Sequence, residues 1–239
     1  MRIRNYKLSA DQKTRLQKGL GAALSIPFID SIEDFIWEGI FCYVKQVDLV
    51  DPFDNIRTKL LFDVVDKKKR IGWSAKGLQC RISPGCEFEL VIQRADIFKK
   101  QNDLGYSGLS KESDPNLLGE ALLKHWQNKV NKDAKIQNVN DQRVCILLKW
   151  KNQKFAYFEE ALMEYQSEDL YWKWTDSTSK VGLQGIRKVD DFVVYRWYPN
   201  QTQFFERFKL PKDAYTFELT PKRFGMDQII EILASNIKL

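Results

Sequence analysis

Apolar residues recur at helical spacing from Ser9 to Leu24, which predicts a short amphipathic helix ending near Gly19 or Gly21. A second helix is predicted from Ser31-Ile-Glu-Asp34, a capping-box-like start. Phe35, Ile36, Ile40, Phe41 and Val44 then form a stripe to about Val47, with Glu38 beside it. A β region follows. Asp51-Pro-Phe-Asp-Asn55 reads as a turn, and Arg57–Asp66 and Arg70–Arg81 as strands joined by the polar turn Lys67-Lys-Lys69. Ser83-Pro-Gly85 marks another turn before a third strand, Phe88–Arg94. Lys99 to Pro115 lacks periodicity and is expected to be a surface loop. Asn116–Asn131 has Leu117, Leu118, Ala121, Leu122 and Trp126 at helical spacing. Val144–Trp150 reads as a buried strand pairing with Phe155–Phe158, Phe192–Tyr198 as a further strand, and Met226–Ser235 as a final helix. This order predicts an α/β fold, with a mixed central β-sheet flanked by helices. A single domain is expected over 1–239, its core at about 25–160 and its C-terminal part at about 161–239.

The hairpin around Lys67–Arg70 can be read face by face, because side chains alternate along a strand. A four-residue turn places Asp66 opposite Ile71 and Asp63 opposite Ser74. One face then holds Leu60, Phe62, Val64, Ile71, Trp73 and Ala75, and the other holds Asp63, Gly72, Ser74 and Lys76. A one-residue slip would mix the two sets, so the hydrophobic pattern selects this register. An acid, a hydroxyl and a lysine are thereby gathered above an apolar face. Asp66 is expected to be a turn residue, and is the fallback acid if Asp63 is not one.

Composition narrows the chemistry. The chain is 44% hydrophobic and 13% aromatic, enough for a sizeable core. No apolar run approaches membrane-spanning length, and Met1-Arg-Ile-Arg-Asn5 is not followed by the apolar stretch of a secretory signal. Cys42, Cys80, Cys86 and Cys145 show no C-x-x-C spacing and are read as free thiols, so a reduced, cytoplasmic protein is expected. His125 is the single histidine, which removes histidine-based triads and zinc sites with two histidines. No phosphate-binding glycine loop is present. The net charge of +6 suits a polyanionic partner without requiring one. Carboxylates, lysines and a metal ion remain. A carboxylate-held magnesium ion activates water and neutralises a scissile phosphate, and a nearby lysine orients or deprotonates that water.

Asp63-Val-Val-Asp66 followed by Trp73-Ser-Ala-Lys76 resembles the metal-binding motif of the PD-(D/E)XK nuclease superfamily, especially type II restriction endonucleases. There an acid on one strand is followed across a turn by acid-x-Lys on the next. The expected order of helix, three-strand meander, helix and strand over Ser31 to Trp150 is also similar to that family's core. The resemblance implies a restriction-endonuclease-like core, with Asp63 as metal-binding aspartate and Lys76 as catalytic lysine. Ser74 stands at the second acid's position, a departure shared with a Ser-x-Lys subset that recruits an acid from elsewhere. Glu38, Glu87 and Glu89 are the candidates, and Glu38 is preferred because the first helix of this family often supplies a glutamate. The family's proline is absent before Asp63, where Phe62 stands.

The resemblance further implies Mg²⁺ as cofactor, site-specific hydrolysis of double-stranded DNA, and a homodimer cutting one strand per active site. For base readout the C-terminal half offers a Gly-bracketed loop, Lys180 to Lys188, with Gln184, Arg187 and Lys188, and a polar cluster containing Gln201 and Gln203. A repair or recombination nuclease of the same fold and a non-catalytic nucleic-acid-binding module are the alternatives.

Overall fold

A computed structural model describes residues 6–48, 60–175 and 181–235. The expected turn at Asp51–Asn55, the beginning of the strand expected from Arg57, and Lys180 lie outside the described residues. Two helices come first, α1 (Ala10–Ser25) and α2 (Asp34–Lys45), then strands β1 (Val64–Asp66), β2 (Ile71–Gln79) and β3 (Glu87–Arg94). A short helix α3 (Ile97–Lys100) and the long α4 (Pro115–Ile136) precede β4 (Asp141–Trp150) and β5 (Lys154–Ala161). The remaining strands are β6 (Leu170–Trp174), β7 (Leu183–Arg187), β8 (Val193–Tyr198), β9 (Gln203–Lys209) and β10 (Tyr215–Glu218), followed by α5 (Met226–Ala234). Among the described residues no helix is long and apolar enough to cross a membrane.

The chain forms two compact units. One comprises Met1–Ser83, Ile136–Leu162 and Pro211–Leu239, the other Pro84–Lys135 and Met163–Leu210. The expected division into a core at about 25–160 and a C-terminal part is therefore redrawn, since 84–135 groups with 163–210 and 211–239 rejoins the first unit.

The first unit is an α/β layer with a mixed sheet of order β1-β2-β4-β5-β10. β2 and β4 are parallel, with Trp73 beside Arg143, Ala75 beside Cys145 and Gly77 beside Leu147. The other neighbours in this sheet are antiparallel. Helices α1 and α2 cover one face through Leu16, Leu20, Trp37, Phe41 and Val44, which pack with Val64, Trp73, Ala75, Cys145, Leu147 and Tyr157. Glycine at position 19 permits their close approach, since a Cβ there would lie 2.9 Å from Ile40 Cγ2. That explains why α1 runs past Gly19 and Gly21 instead of ending at them. α2 begins at Asp34 with Glu33 as an N-cap that makes no side-chain capping bond, so the expected capping box is absent. Its fully buried anchor is Trp37, while Phe35 is 65% exposed.

The opposite sheet face is buried too, through Ser74, Val144, Ile146, Leu148, Ala156 and Phe158. A strand buried on both faces suits a parallel neighbour, because parallel strands are joined by a crossover that leaves room for cover on either side. β3 lacks that character. Phe88 and Leu90 are buried while Glu87 and Val91 are exposed, the alternation of a sheet with one wet face. Accordingly the expected three-strand meander does not form. β2 pairs with β4, and β3 joins the second unit's sheet beside β9.

That second sheet has order β3-β9-β8-β7-β6 and is antiparallel throughout. Its buried face centres on Trp172, stacked on Tyr195 at 6.2 Å and 4°. Glycines make room for this indole: a Cβ on Gly119 or Gly185 would fall 2.3 or 2.7 Å from it. The Gly-bracketed stretch expected to be a loop is thus strand β7, with Gly185 serving packing.

Candidate active site

The hairpin register is Val64 to Trp73, Val65 to Gly72 and Asp66 to Ile71. Its tip is a turn in which Arg70 takes a left-handed φ of 57°. Asp66 belongs to that turn, as expected: its Oδ1 accepts the Lys69 N–H at 2.9 Å. Burial pushes the Asp66 carboxyl up, but hydrogen bonds from Lys69 and Lys68 and the Lys69 charge hold it below the usual range. It is spent on local structure.

Pairing between β1 and β2 stops at Val64, and the side chains upstream no longer follow the expected faces. Phe62 turns to cover Gly72, where a Cβ would lie 2.7 Å from the Phe62 ring. It therefore sits on the face of Ser74, not on the face of Trp73. Asp63 lies where the two strands part. Its N–H donates to the Trp73 carbonyl at 2.9 Å, and its Oδ2 accepts the Ala75 N–H at 2.8 Å. With no further β1 residue in position to accept from Ala75, the carboxylate takes over as edge acceptor.

Lys76 Nζ approaches the same Oδ2 to 3.7 Å, with both side chains partly exposed. The structure thus brings together Asp63 and Lys76. Burial raises the pKa of Asp63 above its ordinary 3.8. The Lys76 charge and the Ala75 N–H oppose the rise, and the negative charge of Asp34 adds to it. Ser74, on the same side of β2 as Lys76, is buried, and its Oγ has no hydrogen-bond partner among the described residues.

In the sequence Asp34 stands out only as part of a helix start. It is exposed in the first turn of α2, and its Oδ1 lies 3.2 Å from the place a Cβ would take on Gly77. Lys149 Nζ, 3.7 Å from that same point, donates to the Ile32 carbonyl just upstream of Asp34. The signal for Asp34 was its position one helical turn before Glu38, on the same stripe of α2. Glu38 is half-buried, and its charge acts on Cys42, whose thiol is pushed up to about 11 by burial, then Glu38, then Asp48. The helix acid acting on Asp63 is Asp34. Glu87 and Glu89 lie on β3, where they pair with Arg207 at 3.0 Å and Arg196 at 2.9 Å.

Beneath β2 on the helix-covered face is a second polar group that the sequence did not suggest. Glu159, 1% exposed, accepts from Trp73 Nε1 at 2.8 Å, from Tyr157 Oη and from Lys45 Nζ, with Arg143 Nη1 at 3.4 Å. Arg143 also pairs with Asp141 and lies 4.0 Å from the Tyr6 ring centroid. These charges balance one another, so the group is a clamp between α2 and the sheet.

The residues expected to read DNA belong to the second unit. Gln184 is half-buried within β7. Arg187 ends that strand with all three guanidinium nitrogens engaged, Nε and Nη2 donating to Asp190 at 2.7 and 2.6 Å and Nη1 to Tyr165 Oη at 2.7 Å. Lys188 Nζ donates to the Glu168 carbonyl at 2.9 Å. Gln201 is exposed in a single helical turn, and Gln203 opens β9.

Among the described residues no group of three or more His, Cys, Asp or Glu side chains is arranged to hold a metal ion. The donor set fits an ion that needs fewer protein ligands. Magnesium takes one or two carboxylates and keeps several waters. Asp63 supplies a partly exposed carboxylate, and the Ser74 hydroxyl supplies an orphan polar group on the Lys76 side. In comparisons with known proteins, no family model, curated protein or solved structure matches the chain.

Proposed function

We propose that the chain is a magnesium-dependent endonuclease of double-stranded DNA, with a restriction-endonuclease-like core in its first unit and the action of a type II restriction enzyme. The observation that carries this reading is the Asp63–Lys76 couple, 3.7 Å apart at the point where β1 leaves β2. Supporting it, the acid immediately precedes β1, and the Ser-x-Lys segment lies on the antiparallel neighbour β2, which has a parallel partner across a helix-containing crossover.

A bound magnesium ion would supply Lewis-acid charge on the scissile phosphate and a more acidic water. Asp63 is suited to hold it, because the Ala75 N–H fixes one carboxylate oxygen while the side chain stays partly exposed. Lys76 is placed to orient the attacking water by donating to it, since its ammonium is partly exposed and lies 3.7 Å from Asp63, at ion-pair and not hydrogen-bond distance. The same charge stabilises the phosphorane-like transition state. Cutting both strands requires two such sites, which a homodimer provides. For base readout Gln184, Gln201 and Gln203 have side chains to offer. Arg187 and Lys188 would first have to give up the partners described above.

Digestion of plasmid DNA by the purified chain tests this. Discrete fragments are expected with Mg²⁺ and none with EDTA, and Lys76→Met or Asp63→Asn is expected to slow cutting at least about a hundredfold. Unchanged cleavage by Lys76→Met would sink the site. The uncharged Ser74 at the second acid's position favours one other reading, a nucleic-acid-binding module without catalysis. Retention of duplex DNA at low salt with no cutting under any divalent ion would establish that instead.

A further inference from the structure

We propose that the tip of the β1–β2 hairpin, Lys67 to Arg70, is a second contact for the phosphate backbone of duplex DNA, set about one groove width away from the Asp63–Lys76 couple. This role for the tip rests on the reading of duplex DNA as the substrate.

Three features of the tip support this. First, its positive charge is largely uncompensated. Lys67, Lys68, Lys69 and Arg70 are all exposed, and the carboxylate of Asp66 pairs with Lys69 at 3.2 Å. Lys67 and Lys68 have no ion pair among the described residues. Asp141, beside Ile71 on β4, is engaged by Arg143 at 2.5 Å. Second, the tip is held in place. The Arg70 carbonyl accepts the N–H groups of Asn140 and Asp141 at 2.8 and 3.1 Å, and Arg70 Nε donates to the Asn138 carbonyl at 3.3 Å. Arg70 takes its φ of 57° in a region where glycine or asparagine is the usual residue, so a cation stands where the backbone favours an uncharged side chain. A charge fixed in advance loses less freedom when it meets a phosphate.

Third, the spacing suits a duplex. β2 runs from Ile71 at the tip past Lys76, and that stretch covers about 17 Å at a strand rise of ~3.3 Å per residue. A B-DNA major groove is about 12 Å wide between its two banks of phosphates. A duplex laid along the hairpin can therefore offer a phosphate on one bank to Lys76 and one on the other bank to the tip. β1 is the edge strand of its sheet, with no outer neighbour among the described residues, so the sheet leaves that side open. Lysines at a sheet edge also discourage strand-to-strand association, a role that needs no ligand and that makes different predictions.

The test is fluorescence anisotropy of a labelled DNA duplex with the full chain, in EDTA and over a series of salt concentrations. Lys67→Gln, Lys68→Gln and Arg70→Gln are combined, and Lys69 is kept because it pairs with Asp66. The triple variant is expected to bind at least about tenfold more weakly, and to lower the slope of log affinity against log salt by about 2–3, since each phosphate contact contributes about 0.9. Lys67→Gln with Lys68→Gln alone, which breaks no ion pair, should lower the slope by about 1–2. Lys99→Gln with Lys100→Gln removes exposed lysines of α3 and should leave the slope where it is. All of the altered tip side chains are exposed, so the variants should keep the wild-type melting temperature. A triple variant with wild-type affinity and slope would overturn the proposal. So would an equal fall in the α3 control, or a triple variant that self-associates while binding DNA as wild type does. If the wild-type chain cuts plasmid DNA and the triple variant binds as tightly, the tip is refuted and the nuclease reading stands. If the wild-type chain leaves DNA intact with Mg²⁺ yet the triple variant loses its salt slope, the nuclease reading is refuted and the tip stands.

Discussion

Asp63 has two separable duties, and two substitutions pull them apart. As an acceptor it satisfies the Ala75 N–H at 2.8 Å. As an anion it faces Lys76 and Asp34, and burial raises its pKa. A raised carboxylate pKa means that the ionised form is less stable in the folded chain than in the unfolded one, so the charge itself costs stability at neutral pH. Asp63→Asn keeps an oxygen for the Ala75 N–H and removes the charge. Its stability should equal or exceed that of wild type. Asp63→Ala leaves the N–H without an acceptor, a loss of about 1–3 kcal/mol. For a chain of this size, that is a fall in Tm of about 2–12 °C. Both variants should fail to cut DNA and to bind Mn²⁺. Scanning calorimetry of the three proteins, with Mn²⁺ titration beside it, reads all of this. If Asp63→Asn is as unstable as Asp63→Ala, the carboxylate is a structural ion pair with Lys76 and the reasoning fails. If Asp63→Ala melts with wild type, the Ala75 bond carries no weight.

The Glu159 clamp should behave as a buried, coupled pair: Lys45→Met leaves an unbalanced charge at a side chain 1% exposed, and is expected to cost about 3–5 kcal/mol where an exposed pair would cost about 0–1. Adding Glu159→Gln to it should restore about 2 kcal/mol, and additivity within about 0.5 kcal/mol in urea unfolding would disprove the coupling. Gly72→Ala should cost about 1–3 kcal/mol by overpacking, because the new methyl would stand 2.7 Å from the Phe62 ring and 2.9 Å from Val139. Phe62→Leu in the same chain should return part of that loss, which chemical denaturation of the pair would show. His125 is held below its usual 6.5, by burial first and then by Lys100, against the Arg94 backbone and Asp96. A depressed histidine leaves stability intact above about pH 6.5 and erodes it as pH falls toward the folded value. His125→Gln should therefore lose less of its urea midpoint than wild type between about pH 7.5 and 5.5, and equal losses would refute the shift.

What could be read in advance depended on whether a local rule governed the position. The hairpin register was such a case. A four-residue turn fixes Asp66 opposite Ile71, and every later pair follows. Phe62 escaped because the rule holds only while the strands stay paired, and nothing in Leu60–Asp63 announces that pairing ends at Val64. Glycines misled twice. Gly19 and Gly185 read as a helix stop and a loop, whereas each is a point of close approach, to Ile40 and to the Trp172 indole, and the partner lies far away in sequence. The strand after the hairpin was misassigned for a different reason. Successive strands usually pair, which predicts β3 beside β2, whereas the buried Phe88 and Leu90 flanked by exposed Glu87 and Val91 belong to a sheet with one wet face.

The same logic explains why Asp34 was harder to see than Asp63. Asp63 and Lys76 are joined by a turn, so their proximity is a matter of counting residues. Asp34 arrives on a helix whose placement depends on Trp37, Phe41 and Val44 finding Trp73, Ala75 and Tyr157 across the core, and on Lys45 finding Glu159. Only that packing decides whether Asp34 or Glu38, one turn apart on the same stripe, comes nearer to Gly77. A helix acid can be nominated from sequence, but a rotation or slide of about one turn, roughly 5.4 Å, changes which one meets β2. The anchors at the two ends of α2, Lys149 on the Ile32 carbonyl and Lys45 on Glu159, remove that freedom. The place of Asp34 beside Gly77 therefore depends on the buried clamp.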